Sequence, residues 1–135
     1  MTTNGDIFDQ VFGINEDLAT NGVWVKFGTK LEVLIGFQGE ANKNFVKAVE
    51  LETTPFKRDI EQGTLDNDDG KLMLCRILAR GVVYDWKGEG VPPFSFDACM
   101  KQLTKKGSLF FQEVNELSKR LATFKKKEDE ADLGN

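Results

Sequence analysis

The spacing of hydrophobic and polar residues changes period several times along this chain. Ile7, Phe8, Val11 and Phe12 fall at helical spacing behind Asp6, a good N-cap residue, and Gly13 stops the run, which predicts a short amphipathic helix. After Asn21-Gly22 the period drops to two. Val23, Val25 and Phe27 alternate with Trp24 and Lys26, and Leu31, Val33, Ile35 and Phe37 alternate with Glu32, Leu34 and Gly36. With Gly28-Thr29 between them, the two runs read as a β-hairpin with a II′-like turn. A lone hairpin is marginal in water, so its apolar face needs a cover, and helices are the expected one.

From Ala41 the pattern is helical, with Phe45, Ala48 and Val49 on one face as far as Glu52. Thr54-Pro55 breaks it and starts a short helix carrying Phe56 and Ile60, which Gly63 ends. A longer helix is predicted from Asn67 to Trp86, with Leu72, Cys75, Ala79, Val82, Val83 and Trp86 on a stripe broadened by Leu74, Ile77 and Leu78. It is the expected central helix, and its Arg76 and Arg80 must pair or snorkel. Lys87 to Pro93 is a Gly/Pro loop, and Ser95 caps a short helix with Phe96, Cys99, Met100 and Leu103. The last helix, from Gly107-Ser108, places Phe110, Val114, Leu117, Leu121 and Phe124 at alternating steps of four and three, a narrow seam of about two heptads. The expected architecture is α+β: an N-terminal β-hairpin packed on four to five helices, one domain over residues 1–124, and a charged, disordered tail over residues 125–135.

Composition narrows the chemistry. There is no histidine, which removes Ser-His-Asp and Cys-His catalysis and His-ligated zinc. Cys75 and Cys99 lie in apolar helical settings and in no Cys-x-x-Cys pair, so they read as buried, reduced thiols. No apolar run approaches the roughly 20 residues that cross a bilayer, and the start of the chain lacks the features of a signal peptide, so a cytoplasmic protein is expected. The charge is uneven. Residues 1–69 hold 6 basic and 13 acidic side chains, residues 101–127 hold 8 basic and 2 acidic, and Glu128 to Asp132 adds four acids.

Several chemical motifs come close and fail. Asp66-Asn67-Asp68-Asp69-Gly70 resembles the start of a calcium loop, yet it puts Leu65 at the first ligand position and Arg76 at the twelfth. Gly70-Lys71 lacks the surroundings of a phosphate loop, and Gly88-Glu89-Gly90 reads as a linker. Asp85 is a lone carboxylate, and no nucleophile has a base beside it, so neither an enzyme nor a cofactor or metal is expected. The basic stretch 101–127 contains Phe110, Phe111 and Phe124, which would suit single-strand binding, but these rings fall mostly on the seam and the whole chain is acidic.

Read in order, a set of segments resembles the small tail assembly chaperones of long-tailed, non-contractile phages and prophages. They are Asp6-Ile7-Phe8-Asp9, Val11-Phe12-Gly13, Gly22-Val23-Trp24-Val25 and Asn44-Phe45-Val46-Lys47-Ala48. Pro55-Phe56-Lys57-Arg58-Asp59-Ile60-Glu61, Gly63-Thr64-Leu65-Asp66-Asn67 and Asp85-Trp86-Lys87-Gly88 follow, then Pro93-Phe94-Ser95-Phe96 and Leu109-Phe110. The likeness spans residues 6 to 124. Gly81 departs from it, standing where a good helix former is preferred, and Thr104-Lys105-Lys106-Gly107 lacks the expected acidic and proline residues.

The resemblance implies a non-catalytic factor that coats the tape measure protein during tail assembly, oligomerises along it, helps to bring tail tube subunits to it, and is absent from the finished virion. Such families also make an extended product by ribosomal frameshifting. The residues expected to contact a partner or a neighbouring copy are Phe110, Val114, Leu117, Leu121 and Phe124, positions that equally suit ordinary core packing. No small-molecule substrate and no membrane partner are expected. The rival readings are a small acidic regulator or inhibitor of a host protein and, behind it, a nucleic-acid-binding protein.

Overall fold

The computed structural model describes residues 6–125. The expected tail therefore lies outside the described residues except for Lys125, which forms an isolated antiparallel bridge with Ile14. The alternating runs form β1 (Val23–Phe27) and β2 (Leu31–Ile35), paired antiparallel with Phe27 opposite Leu31. The connection is thus three residues, Gly28 to Lys30, rather than a two-residue turn. Gly28 supplies the positive φ of 65° that it needs.

The hairpin is not alone. The helix predicted to run to Trp86 stops at Gly81, and Val83–Gly88 is a third strand, β3, on the far side of β2 in the order β1-β2-β3. Val82-Val83-Tyr84-Asp85-Trp86 is rich in β-branched and aromatic residues, and the open edge of β2 gives those backbone groups partners that a further helical turn would not bring to the sheet. The stripe Val82, Val83 and Trp86 misled because all three are buried, as they would be on a helix. The register slips once: Leu34 faces Asp85 while Ile35 faces Val83, so Tyr84 is the extra residue of a bulge.

Val33 and Ile35 of β2 and Val83 and Trp86 of β3 turn inward onto α5 (Asn67–Gly81), the central helix, whose Cys75, Leu78 and Ala79 complete the contact. Cys99 and Leu103 of α6 (Phe96–Leu103), Val114 of α7 (Phe110–Leu117) and Phe124 of α8 (Leu121–Phe124) close the same core. The other sheet face carries Trp24, Glu32 and Lys87. The Lys87 ammonium lies 4.1 Å from the Trp24 ring centre and 3.9 Å from a Glu32 oxygen.

On the flank of α5 lies α3 (Lys43–Thr53), the most extensive helix pairing in the molecule. Gly81 makes it possible, because a Cβ there would stand 2.8 Å from the Asn44 carbonyl oxygen and 2.9 Å from the Ala48 Cβ. The glycine that departs from the resembled pattern is thus a close-approach position. After α3, Pro55 opens a 3-10 turn (Thr54–Phe56), and α4 (Lys57–Gln62) ends at Gly63, whose φ is 69°. At the start of the described chain stand α1 (Ile7–Phe12) and α2 (Glu16–Asn21), capped by Asp6 and Asn15 side chains that accept the Asp9 and Leu18 amides at 3.0 Å each. The molecule is α+β and mostly helical, as expected, with the last helix broken in two.

Candidate protein-interaction surface

The five seam positions do not share one exposed stripe. Val114 and Phe124 have no solvent exposure. The Phe124 ring meets Phe37 edge-on at 5.4 Å, and its carbonyl accepts the Asn15 amide at 2.9 Å. Phe110 is half-buried, 6.3 Å from the ring of Trp86, and lines a cleft of about 380 Å³ with Leu31, Val91 and Pro92. Trp86 is itself fixed, its indole N–H donating to the Pro92 carbonyl and Phe94 meeting it edge-on at 5.0 Å. Leu117 is half-buried at the end of α7, and Leu121 opens α8 after a turn.

The break between α7 and α8 coincides with a long-range contact. Ser118 is wholly buried, and its hydroxyl donates to Gln38 Oε1 at 3.0 Å while its carbonyl accepts the Gln38 amide at 2.7 Å. The Ser118 carbonyl thus bonds the 36–42 loop, and the chain turns through Lys119 and Arg120, whose amides reach back three residues to Glu116 and Leu117.

Exposed apolar side chains are grouped most closely at the other end of the described residues. On α1, Ile7 is 62%, Phe8 70% and Phe12 61% exposed, with Val11 beside them at 39%. The positions i, i+1, i+4 and i+5 share one face of the helix, and the Phe8 and Phe12 rings lie 6.4 Å apart. None of the four packs on the central core, which takes Ile14 and Leu18 from the residues that follow. Four such side chains in one turn and a half differ from the scattered exposed residues that any surface carries. The sequence showed their helical spacing, but spacing says only that they share a face, not that something covers it. A second signal was available: Asp6, Asp9, Glu16 and Asp17 precede the first basic side chain, Lys26.

Leu109, 68% exposed, is the most open large aliphatic side chain outside α1 among the described residues. It follows Lys105 and Lys106, both exposed, across the turn at Gly107, whose φ is 81°.

The ionisable groups inside are used structurally. Glu52 is buried on α3 and receives Arg76 Nε at 2.7 Å and Arg80 Nε on its other oxygen. Burial raises its pKa, but the hydrogen bonds and charges of the two arginines outweigh that and hold the carboxyl below its ordinary value. Both guanidiniums also lie over the Phe96 ring, at 5.3 and 4.5 Å, so of the two expected outcomes, pairing or snorkelling, the arginines take pairing. Cys75 and Cys99 are buried free thiols, and burial, with the charge of Cys75 behind it, pushes Cys99 up to about 12. Among the described residues no cluster of three or more acidic or cysteine side chains could hold a metal, and no helix is long and apolar enough to cross a membrane.

Inside the α+β fold Glu52 is paired with Arg76 and Arg80, and on its surface α1 groups four uncovered apolar side chains. Comparison with known families identifies its class: a model described as YdaY prophage protein matches residues 40–135, more than two-thirds of the chain. The chain belongs to the YdaY prophage protein family, and is thus a phage or prophage protein. The match begins beyond the hairpin, so α1 lies outside it. No curated protein and no solved structure matches the chain.

Proposed function

We propose that this protein is a non-catalytic tail assembly chaperone, acting in the host cytoplasm, which coats the tape measure protein during tail assembly and helps to recruit tail tube subunits. The observation that carries the reading is the bare apolar face of α1. A temporary coat must shield a long, partly apolar helical protein and later leave it. Small apolar contacts repeated over many copies do this, because avidity holds the array while each contact stays weak. An apolar helix face of this kind is the surface on which helix-against-helix recognition is built. Membership of a prophage family and the ordered likeness of residues 6–124 to tail assembly chaperones support the same reading. Nucleic-acid binding through residues 101–127 is disfavoured by the positions of its rings: Phe124 is buried, Phe110 packs near Trp86, and the ammonium of Lys71 lies over Phe111.

An affinity pull-down of the tagged protein from cells with the prophage induced, read by mass spectrometry, tests the proposal. Recovery of a very long helical phage protein, with or without the tube subunit, is the expected result. Recovery of one host protein in stoichiometric amount, or of nucleic acid, without tail components would overturn it.

A further inference from the structure

The structure carries two exposed apolar sites of opposite charge, and we infer that they are the two halves of a head-to-tail contact between copies of this chain. The α1 face of one copy docks on the Lys105-Lys106-Leu109 surface of the next. This rests on reading α1 as a protein-docking face and deepens it by naming the occupant.

The first half is α1, with Ile7, Phe8 and Phe12 open to solvent in a segment that has four acidic side chains and no basic one before Lys26. The second half is the turn between α6 and α7. Leu109 is 68% exposed there, and between Asp97 and Glu113 the chain has Lys101, Lys105 and Lys106 and no acid. All three lysines are exposed. Since Phe8 and Leu109 both face solvent, neither site covers the other within one chain. Their charges are complementary, so like faces repel and unlike faces attract, which selects α1 against Leu109 over α1 against α1.

A contact between two different patches is heterologous and propagates from copy to copy. A six-residue helix offers an area below the roughly 1,200 Å² of stable interfaces, so free protein associates weakly and concentration-dependently. Added salt screens the lysines and carboxylates and weakens it further.

Analytical ultracentrifugation of the purified full-length protein, with no phage component present, tests the inference. The wild type should show association that rises with concentration and falls with salt. F8D and L109D, both surface substitutions, should each be monomeric with an unchanged circular dichroism spectrum and unfolding midpoint. The discriminating step is to mix them. F8D keeps a sound Leu109 surface and L109D a sound α1, so the mixture should form a one-to-one heterodimer and nothing larger. A monomeric wild type overturns the inference, and so does a mixture that stays monomeric, because a two-fold symmetric contact cannot be complemented in this way. The outcome is separable from that of the pull-down. Monomeric protein that still recovers the long helical protein removes this inference alone, whereas self-association with no tail protein recovered removes the proposed function alone.

Discussion

The carboxamide of Asn42 and the phenol of Tyr84 meet where α5 gives way to β3. Asn42 is fully buried, and its amide group donates to the carbonyls of Gly81 at 2.8 Å and Phe37 at 2.9 Å. Its oxygen accepts the Asn44 amide at 2.9 Å, capping α3, and the Tyr84 hydroxyl at 3.2 Å. The bulge in β3 aims Tyr84 at this point, and the missing side chain of Gly36 makes room, since a Cβ there would lie 2.4 Å from the phenol oxygen. Asn42→Ala removes a helix cap, the donor to the Phe37 carbonyl and one of two donors to the Gly81 carbonyl, so stability should fall by about 2–4 kcal/mol. Tyr84→Phe removes one partner of several and should cost about 1 kcal/mol. Urea unfolding of both variants checks the order.

Gly81→Ala should destabilise the protein although alanine is the better helix former. The propensity gain of about 1 kcal/mol is set against contacts of 2.8 Å with backbone atoms of Asn44 and Phe45, which cannot swing aside. Separating α3 from α5 by overpacking costs about 1–3 kcal/mol, so the net change should be a loss. An unfolding midpoint at or above that of the wild type would refute the close-approach role.

The arginine-paired Glu52 contributes to the acid limb of stability. Its folded pKa lies below the ordinary carboxylate value, so the pair stabilises the protein above that value, and the contribution is lost as pH falls through the folded pKa. Glu52→Gln cannot titrate, so its stability should fall less steeply between pH ~7 and pH ~3. Parallel urea midpoints across that range would show a constant offset if Glu52 played no part.

Phe124 and Phe8 are both large aromatic residues near a chain end, and they should behave oppositely. Phe124→Ala empties a fully buried site against Phe37 and should cost about 3–5 kcal/mol. Phe8→Ala touches an exposed side chain and should change stability by no more than about 0.5 kcal/mol while weakening partner capture. Thermal melts and the pull-down, run on the same two variants, separate core from docking surface.

Cys99 should resist alkylation until the protein unfolds. Its thiol is wholly buried with a pKa pushed up to about 12, so almost no thiolate exists near neutrality. Iodoacetamide at pH ~8 should label urea-unfolded protein far faster than native protein. Rapid native labelling of Cys99, mapped by mass spectrometry, would place it outside the core.

Much of the fold could be read along the chain because it depends on neighbours in sequence. The alternation of Val23 to Ile35 made the hairpin, Asp6 caps α1 where local hydrogen bonding favours it, Thr54-Pro55 ends the run of α3, and Gly63 ends α4 as its backbone preference requires. The central place of α5 followed from an apolar stripe wider than any other. Tertiary contact decided the rest. Val82 to Trp86 became a strand because β2 had an open edge to offer, and burial alone could not distinguish a helix from a strand. The seam from Phe110 to Phe124 split because Gln38, eighty residues before Ser118, engages that residue's hydroxyl and carbonyl. The α1 stripe and the seam looked alike in sequence, two runs of apolar residues at helical spacing. Periodicity arises within one helix, whereas exposure depends on which other elements reach it, and these turned Val114 and Phe124 inward and left Phe8 in water.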